Sequence, residues 1–338
     1  MPLSAGTSGP IPMLILLRTG PFPFRPRWTH WRGFWPLMQF SVRAPASSAN
    51  LGPGFDALGL ALDLWNTITI DAHVTESSVT YSGDDAVTMA GHENYSVRAM
   101  HLLADEHQRT LPPFHLHADI QVPVARGLGS SAAAIVSGLV AANQLLHLGL
   151  TANELFQVAA RIEGHGDNVG AAMYGGAILS VPALGRAIPL NDGADLGLVA
   201  VVFIPEVTGA TWVARAELPQ HVPLADAAFN IGASGGIVAG MLGNDHEAIA
   251  AGMHDRLHEP PRSRLYPHLM AMTDAARTAG AVGACLSGAG PAILALTVPD
   301  RAEAVAAAMQ AIAPCTGIAG ACITLPIATT GATLTPTD

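Results

Sequence analysis

An α+β fold in two domains is what this sequence predicts, and three observations predict it. At 338 residues the chain is long enough for two domains with ample core. Its first half reads as several strands followed by helices that pack on them. From Pro182 to Asp195 the pattern gives way to loop, and beyond it a second set of strands and helices begins. The expected division is an extension over 1–37, one domain over 38–190 and another over 191–332.

The first 37 residues look foreign to the rest. They carry three of the five tryptophans, several prolines and no periodicity. The apolar piece 11–17 is short, Arg18 cuts it, and no small-residue cleavage site follows, so a signal peptide fits poorly. Met38 immediately precedes a strand-like run. We expect Met38 to be the start and 1–37 to be a mis-assigned or disordered extension.

The elements follow in order. A strand is expected over 40–44, then a Gly/Pro-punctuated loop over 45–56 that holds Asn50 and Asp56. Over 66–74, Ile68, Ile70 and Ala72 alternate with Thr67, Thr69 and Asp71, a half-buried strand. Gly83-Asp84-Asp85 reads as a solvated turn. Residues 94–107 place Val97, Met100, Leu103 and Ala104 on one helical face. Strand alternation recurs over 114–122, and it alone accounts for His115 and His117, which have no third ligand nearby for a metal. A small-residue apolar run over 132–146 reads as a helix. Thr151 and Glu154 form a capping box for a helix reaching about 163. A break at 164–168, a short helix from Val169 and a buried strand over 175–181 complete the first half.

The second half opens with a strand over 197–204 and helices over 208–216, 225–242 and 245–257, with Asn244 and Glu247 as candidate caps of the last. A kinked loop over 256–262, a helix over 267–279 and a strand over 282–286 come next. A Gly-rich turn at 287–290, a strand over 292–298, a helix over 300–313 and a strand over 321–327 finish the pattern.

Composition excludes several chemistries. The chain has no lysine; all 16 basic residues are arginine. A Walker-type phosphate loop and Schiff-base catalysis both need that lysine. The net charge of −10 argues against a nucleic-acid partner. No run of about 18 uninterrupted apolar residues occurs, so no membrane span is expected. The three cysteines, Cys285, Cys315 and Cys322, show no paired or metal-type spacing and read as free thiols of a cytoplasmic protein. Oligomeric state is not fixed by the sequence, and a homodimer is compatible with it.

The stretch Pro123-Val-Ala-Arg-Gly-Leu-Gly-Ser-Ser-Ala-Ala-Ala134 lies between an expected strand and an expected helix. Its glycines let backbone N–H groups approach an anion at the positive end of a helix dipole. Ser130 and Ser131 can cap that helix or hold a metal ion that neutralises the anion. A nucleoside triphosphate site is the first expectation. With lysine absent, the phosphate donors must be the backbone N–H groups of Arg126 to Ala132, aided by arginine.

Four stretches together carry a family resemblance. Pro123 to Ala134 resembles the phosphate-binding motif of the GHMP kinases. Leu286-Ser-Gly-Ala-Gly-Pro291, with Gly288 and Gly290, resembles their C-terminal glycine motif. Pro45-Ala-Ser-Ser-Ala-Asn-Leu-Gly-Pro-Gly-Phe-Asp-Ala-Leu-Gly-Leu-Ala-Leu62 and Glu163-Gly-His-Gly-Asp-Asn-Val169 resemble the homoserine kinases within that family, where proline usually stands in place of Gly166. The match spans roughly 40–330.

The resemblance implies a ribosomal-protein-S5-like first domain, a ferredoxin-like second domain, and a site between them for ATP and L-homoserine, in threonine biosynthesis. It implies ATP contacts along Pro123, Val124, Ala125, Arg126, Gly127, Leu128, Gly129, Ser130, Ser131 and Ala132, with Asn66 on the adenine side and Gly288 and Gly290 beyond. It implies Mg²⁺ at Ser131 and Glu163. Arg215 and Arg262 match the family's carboxylate-binding arginines, as a guanidinium fork suits a carboxylate. Asn50 and Asp56 would read the amine and hydroxyl end, and Thr211 would position solvent or substrate. Asn168 would orient the attacking hydroxyl, with Asp167 beside it as base or bystander. Alternative readings are structural: a cap for Ser131, Asp167 and Asn168, an exposed helix end for Glu163, a surface position for Arg262. Alternative functions are a mevalonate-type kinase and a non-catalytic binding protein of the same fold.

Overall fold

The computed structural model describes residues 38–337 except 84, 90 and 91; the expected extension over 1–37 and the turn residue Asp84 lie outside them. In chain order the first half runs β1 (Gln39–Ala49), β2 (Leu58–Asp71), β3 (Ser78–Gly83), α1 (Ala86–Met89), α2 (Tyr95–Glu106), β4 (His115–Ile120), α3 (Ser130–Leu145), α4 (Ala152–Glu163), α5 (Asp167–Tyr174), β5 (Ala177–Val181) and β6 (Arg186–Asn191). The second runs β7 (Val199–Pro205), α6 (Thr211–Ala216), α7 (Leu224–Gly243), α8 (His246–Gly252), α9 (Glu259–Arg262), α10 (His268–Thr278), β8 (Gly283–Leu286), β9 (Ile293–Thr297), α11 (Ala302–Thr316), β10 (Gly320–Pro326) and β11 (Thr333–Pro336).

The first sheet has the order β11-β1-β2-β4-β3, with β5 and β6 attached through β2. On the edge away from β1, β2 serves two partners because it is long. Its end pairs with β4 (Thr67↔Asp119) and its start with β5 (Leu58↔Leu179). β1 extends through Ala49, where a loop was expected. Polar Ser47 and Ser48 hid the strand, but both are fully buried at the site. The β1–β2 register slips between Pro45 and Ala46, where proline has no N–H to give the ladder.

One face of this sheet packs on α2, α3, α4 and α5. α3 is apolar around most of its circumference, the mark of a buried helix. A Cβ at Gly138 would lie 2.2 Å from the Ser96 carbonyl, so α3 and α2 touch backbone to backbone. Thr151 and Glu154 form the capping box expected of α4.

The second sheet, β10-β7-β9-β8, is antiparallel and covered on both faces. Along β7, Val201 and Phe203 point toward α10 and α11, while Ala200 and Val202 face β1, β2, α7 and α8. Double coverage explains why β8 and β9 are apolar at nearly every position.

Several elements differ from expectation. β6 runs through the stretch expected to be loop, as an edge strand that tolerates Pro189. The helix expected over 245–257 stops at Gly252. Its cap is Asp245, whose side chain accepts the N–H groups of Glu247 and Ala248, while Asn244 closes α7 in left-handed conformation. The kinked loop at 256–262 contains α9, whose prolines sit at its start, where no N–H is needed. β11 returns to pair with β1.

Candidate functional site

The turn from β4 into α3 faces a cleft of about 630 Å³ between the two halves of the chain. Ala125, Gly127 and Gly129 all have positive φ (56°, 80° and 68°), which curls the loop around its own amides. A Cβ on Gly127 would lie 2.3 Å from the Ser287 carbonyl, and one on Gly129 2.1 Å from Ser47 Oγ. Glycine is required because β1 and the 286–291 loop press on this turn. α3 starts at Ser130, so the N–H groups of Ser130, Ser131 and Ala132 have no carbonyl of their own helix to bind. The first turn of α3 has no acidic residue to occupy that positive end.

The Arg126 side chain is engaged by the protein itself. Its guanidinium donates to the carbonyls of Pro205 (2.9 Å), Val124 (3.0 Å) and Glu206 (3.1 Å) and meets Asp85 Oδ2 at 3.4 Å. Asp85 is likewise not a solvated turn residue: it is 18% exposed and accepts the Val124 N–H at 2.7 Å. The pair latches the loop to the end of β7. The loop's own guanidinium is thus taken up by carbonyls and Asp85, while its backbone amides face the cleft.

Asn66 lies at the cleft wall, but its Oδ1 is engaged by the N–H groups of Gln121 and Val122. Its Nδ2 reaches Ser130 Oγ at 3.4 Å. Ser131 Oγ donates to Glu163 Oε1 at 2.8 Å, bringing the two expected metal ligands together from α3 and the end of α4. Gly288 lines the cleft; Gly290 is turned away and packs under Tyr266.

At the other end of the cleft, Arg215 binds Asp56 through two hydrogen bonds of 2.8 and 3.0 Å. That pairing, working against partial burial, raises the guanidinium's pKa. Arg262 is 2% exposed and donates to Ala214 O and Gly288 O. Burial, then the charge of Arg215, pushes its pKa down. Asn50 is a brace: Nδ2 donates to Gly288 O, and Oδ1 accepts the Asp56 N–H. Asn168 is held by Ser47, donating to its Oγ at 2.9 Å. Asp167 Oδ1 accepts the Asn168 N–H and contacts His165 Nδ1. Burial pulls the His165 pKa down, but its hydrogen bond to Asp167 and that carboxylate's charge outweigh it, and the net direction is up. Thr211 opens α6 at the cleft wall. Asp56, Glu163 and Asp167 therefore share one cleft with Arg215 and Arg262, brought together from β1–β2, α4–α5, α6 and α9.

The sequence reading missed Ser47, Asp85, His258 and Glu259, which hold these groups in place. Only the string Asp-Arg-Leu-His-Glu-Pro-Pro-Arg262 carried a signal, as polar residues packed around two prolines.

Residues 94–176 match the family model for the GHMP kinases N terminal domain, and 237–315 that for the GHMP kinases C terminal. A homoserine kinase of Synechococcus sp. is 39% identical over 297 residues, 87% of this chain and 97% of that protein. A homoserine kinase of Gloeobacter violaceus is 43% identical over 279 residues, 81% of this chain and 92% of that protein. The chain belongs to the homoserine kinase family of GHMP kinases. A crystal structure of homoserine kinase from Cytophaga hutchinsonii superimposes with a TM-score of 0.78 at 29% identity, covering 90% of this chain and 99% of that one. Mevalonate diphosphate decarboxylase from Staphylococcus aureus shares the fold alone, with a TM-score of 0.62 at 15% identity, covering 88% of this chain and 98% of that one. The α+β GHMP kinase fold expected from the resemblance of these stretches is the fold observed.

Proposed function

We propose that this chain transfers the γ-phosphoryl group of ATP to the hydroxyl of L-homoserine, giving O-phospho-L-homoserine for threonine synthesis. The observation that carries this reading is one cleft with two ends, in a chain about 40% identical to homoserine kinases. One end offers unpaired amides to phosphate, and the other offers two guanidiniums and two further carboxylates to an amino acid. An acceptor with a carboxylate and an ammonium group matches Arg215 and Arg262 for the first and Asp56, which Arg215 holds, for the second. Mevalonate, with a carboxylate and no amine, leaves that carboxylate unused.

Phosphoryl transfer passes through a loose transition state, so alignment and charge neutralisation supply most of the rate. The amides of Ser130, Ser131 and Ala132 hold the phosphates. Asn168, fixed by Ser47, orients the hydroxyl. Asp167 has one oxygen occupied by His165 and the Asn168 amide, and we assign it to holding the acceptor rather than to strong-base chemistry. The hydroxyl proton passes to the transferred group as the new O–P bond forms and the bond to ADP breaks. Ser131 and Glu163 present adjacent hard oxygens at the head of α3 and fit Mg²⁺. That ion, when bound, neutralises phosphate charge.

Among the described residues no helix is long and apolar enough to cross a membrane. A cytoplasmic location and a homodimer belong to the same proposal. The direct test is ADP release with L-homoserine, mevalonate or D-galactose as acceptor. Release dependent on L-homoserine alone is expected; release with mevalonate only, or with no acceptor dependence, overturns the reading.

A further inference from the structure

The segment after α8 carries a buried polar cluster that the proposed chemistry leaves unused. Asp255 accepts the N–H groups of Leu257, His258 and Glu259 at 3.0, 2.7 and 2.7 Å, which fixes the start of α9. The His258 side chain is 1% exposed. Its Nε2 lies 2.7 Å from the Gly52 carbonyl, and its Nδ1 lies 3.1 Å from Arg262 Nη1.

These two partners dictate the state of the ring. A carbonyl only accepts, so Nε2 carries the proton. A guanidinium only donates, so Nδ1 must offer its lone pair. The neutral ring protonated on Nε2 is the one form that satisfies both. The Phe55 ring, 5.3 Å from His258, also lies beneath the guanidiniums of Arg215 and Arg262 at 5.6 and 5.5 Å.

Arg215 and Arg262 are treated differently. Arg215 has its carboxylate, Asp56. Arg262 has no ion pair among the described residues; Ala214 O, Gly288 O and His258 Nδ1 are its acceptors, and all are neutral. A carboxylate in the place of His258 would also fix the guanidinium, but would neutralise it. A neutral imidazole fixes it and leaves its charge for a ligand.

We propose that His258 is a positioning residue that aims the Arg262 guanidinium at the acceptor's carboxylate while keeping its charge uncompensated. The inference rests on the reading of the acceptor as an amino-acid alcohol. The test compares the unaltered chain with His258→Leu and His258→Gln, using L-homoserine and 3-amino-1-propanol, which lacks the carboxylate.

In His258→Leu, KM for L-homoserine should rise about tenfold or more, with KM for ATP unchanged and kcat within about threefold. The rate with 3-amino-1-propanol should not change. Gln can donate and accept through one amide and should recover most of the loss. Equal losses with both acceptors, or a loss shared with ATP binding, overturn the proposal. A second readout needs no acceptor: in the NMR spectrum, solvent exchange of the Arg262 guanidinium protons should quicken about tenfold in His258→Leu and be restored in His258→Gln. Unchanged exchange overturns the proposal even if the kinase reading stands. Absence of homoserine-dependent ADP release in the unaltered chain counts against the kinase reading, and the exchange rates then decide on His258.

Discussion

At the end of the cleft we assign to phosphate the chain supplies backbone; at the end we assign to the acceptor it supplies side-chain charge. Gly127, Gly129 and the first turn of α3 bring amides to one point, and Arg126, the loop's own cation, is spent on carbonyls of β7 and its neighbour. Asp56, Asp167, Arg215 and Arg262 come from four places and meet only in the folded chain. The first plan depends on shape and costs little to bury. The second depends on charge, and its buried members must be held by neutral or oppositely charged neighbours.

The largest expected effect tests the shape plan. Gly129→Ala puts a Cβ 2.1 Å from Ser47 Oγ at a φ of 68°. Activity should fall about a thousandfold, roughly 4 kcal/mol of barrier, measured as kcat/KM for ATP. An alanine variant with near-normal activity would break the claim that packing forces glycine there.

Arg215→Ala tests the charge plan. It removes the bidentate partner of Asp56 and one of the two guanidiniums. A loss of about a hundredfold in kcat/KM for L-homoserine, roughly 3 kcal/mol, is expected, with nucleotide binding unchanged in a titration. Unchanged homoserine affinity would refute the role given to Arg215.

Glu259 measures what the charged end costs in stability. It lies buried beneath this end, accepting the Leu286 N–H, and burial raises its pKa from 4.5 to about 7. The folded chain then holds this proton more tightly than the unfolded chain does. Its contribution to stability is present below about pH 4.5 and is lost as pH rises through about 7. The full loss is on the order of 3 kcal/mol. Glu259→Gln keeps an acceptor for Leu286 and should lose less stability than the parent between pH 5 and 8, read from denaturant midpoints. Equal losses would show that Glu259 does not titrate in that window.

The smallest effect concerns the latch. Arg126→Gln should raise KM for ATP by about threefold to tenfold, around 1 kcal/mol, because the loop loses its hold on β7 but keeps its glycines. A hundredfold rise would mean that the guanidinium does reach phosphate, and would move the phosphate end toward the charge plan.

The two ends also differed in how far the sequence disclosed them. The phosphate end is contiguous, so Gly127, Gly129, Ser130 and Ser131 announced an anion site by local chemistry alone. The acceptor end was readable only through family resemblance, because no local pattern joins Asp56 to Arg215 or Arg262. Roles set by packing stayed hidden. The Arg126 guanidinium binds carbonyls of β7 and its neighbours, and Asn66 already serves two backbone amides. Ser47 and Ser48 looked like loop and are buried strand. Among elements, amphipathic helices and alternating strands were legible, whereas β6 with Pro189 and the four-residue β11 lacked any periodicity long enough to read.

β11 has a consequence for biosynthesis. It supplies the edge partner of β1, yet between the two strands lie all the elements of both sheets. During translation β1 waits with an open hydrogen-bonding edge while every other described element is made. Of the described elements the first to emerge is among the last to be completed, so the order of synthesis and the order of closure run in opposite directions.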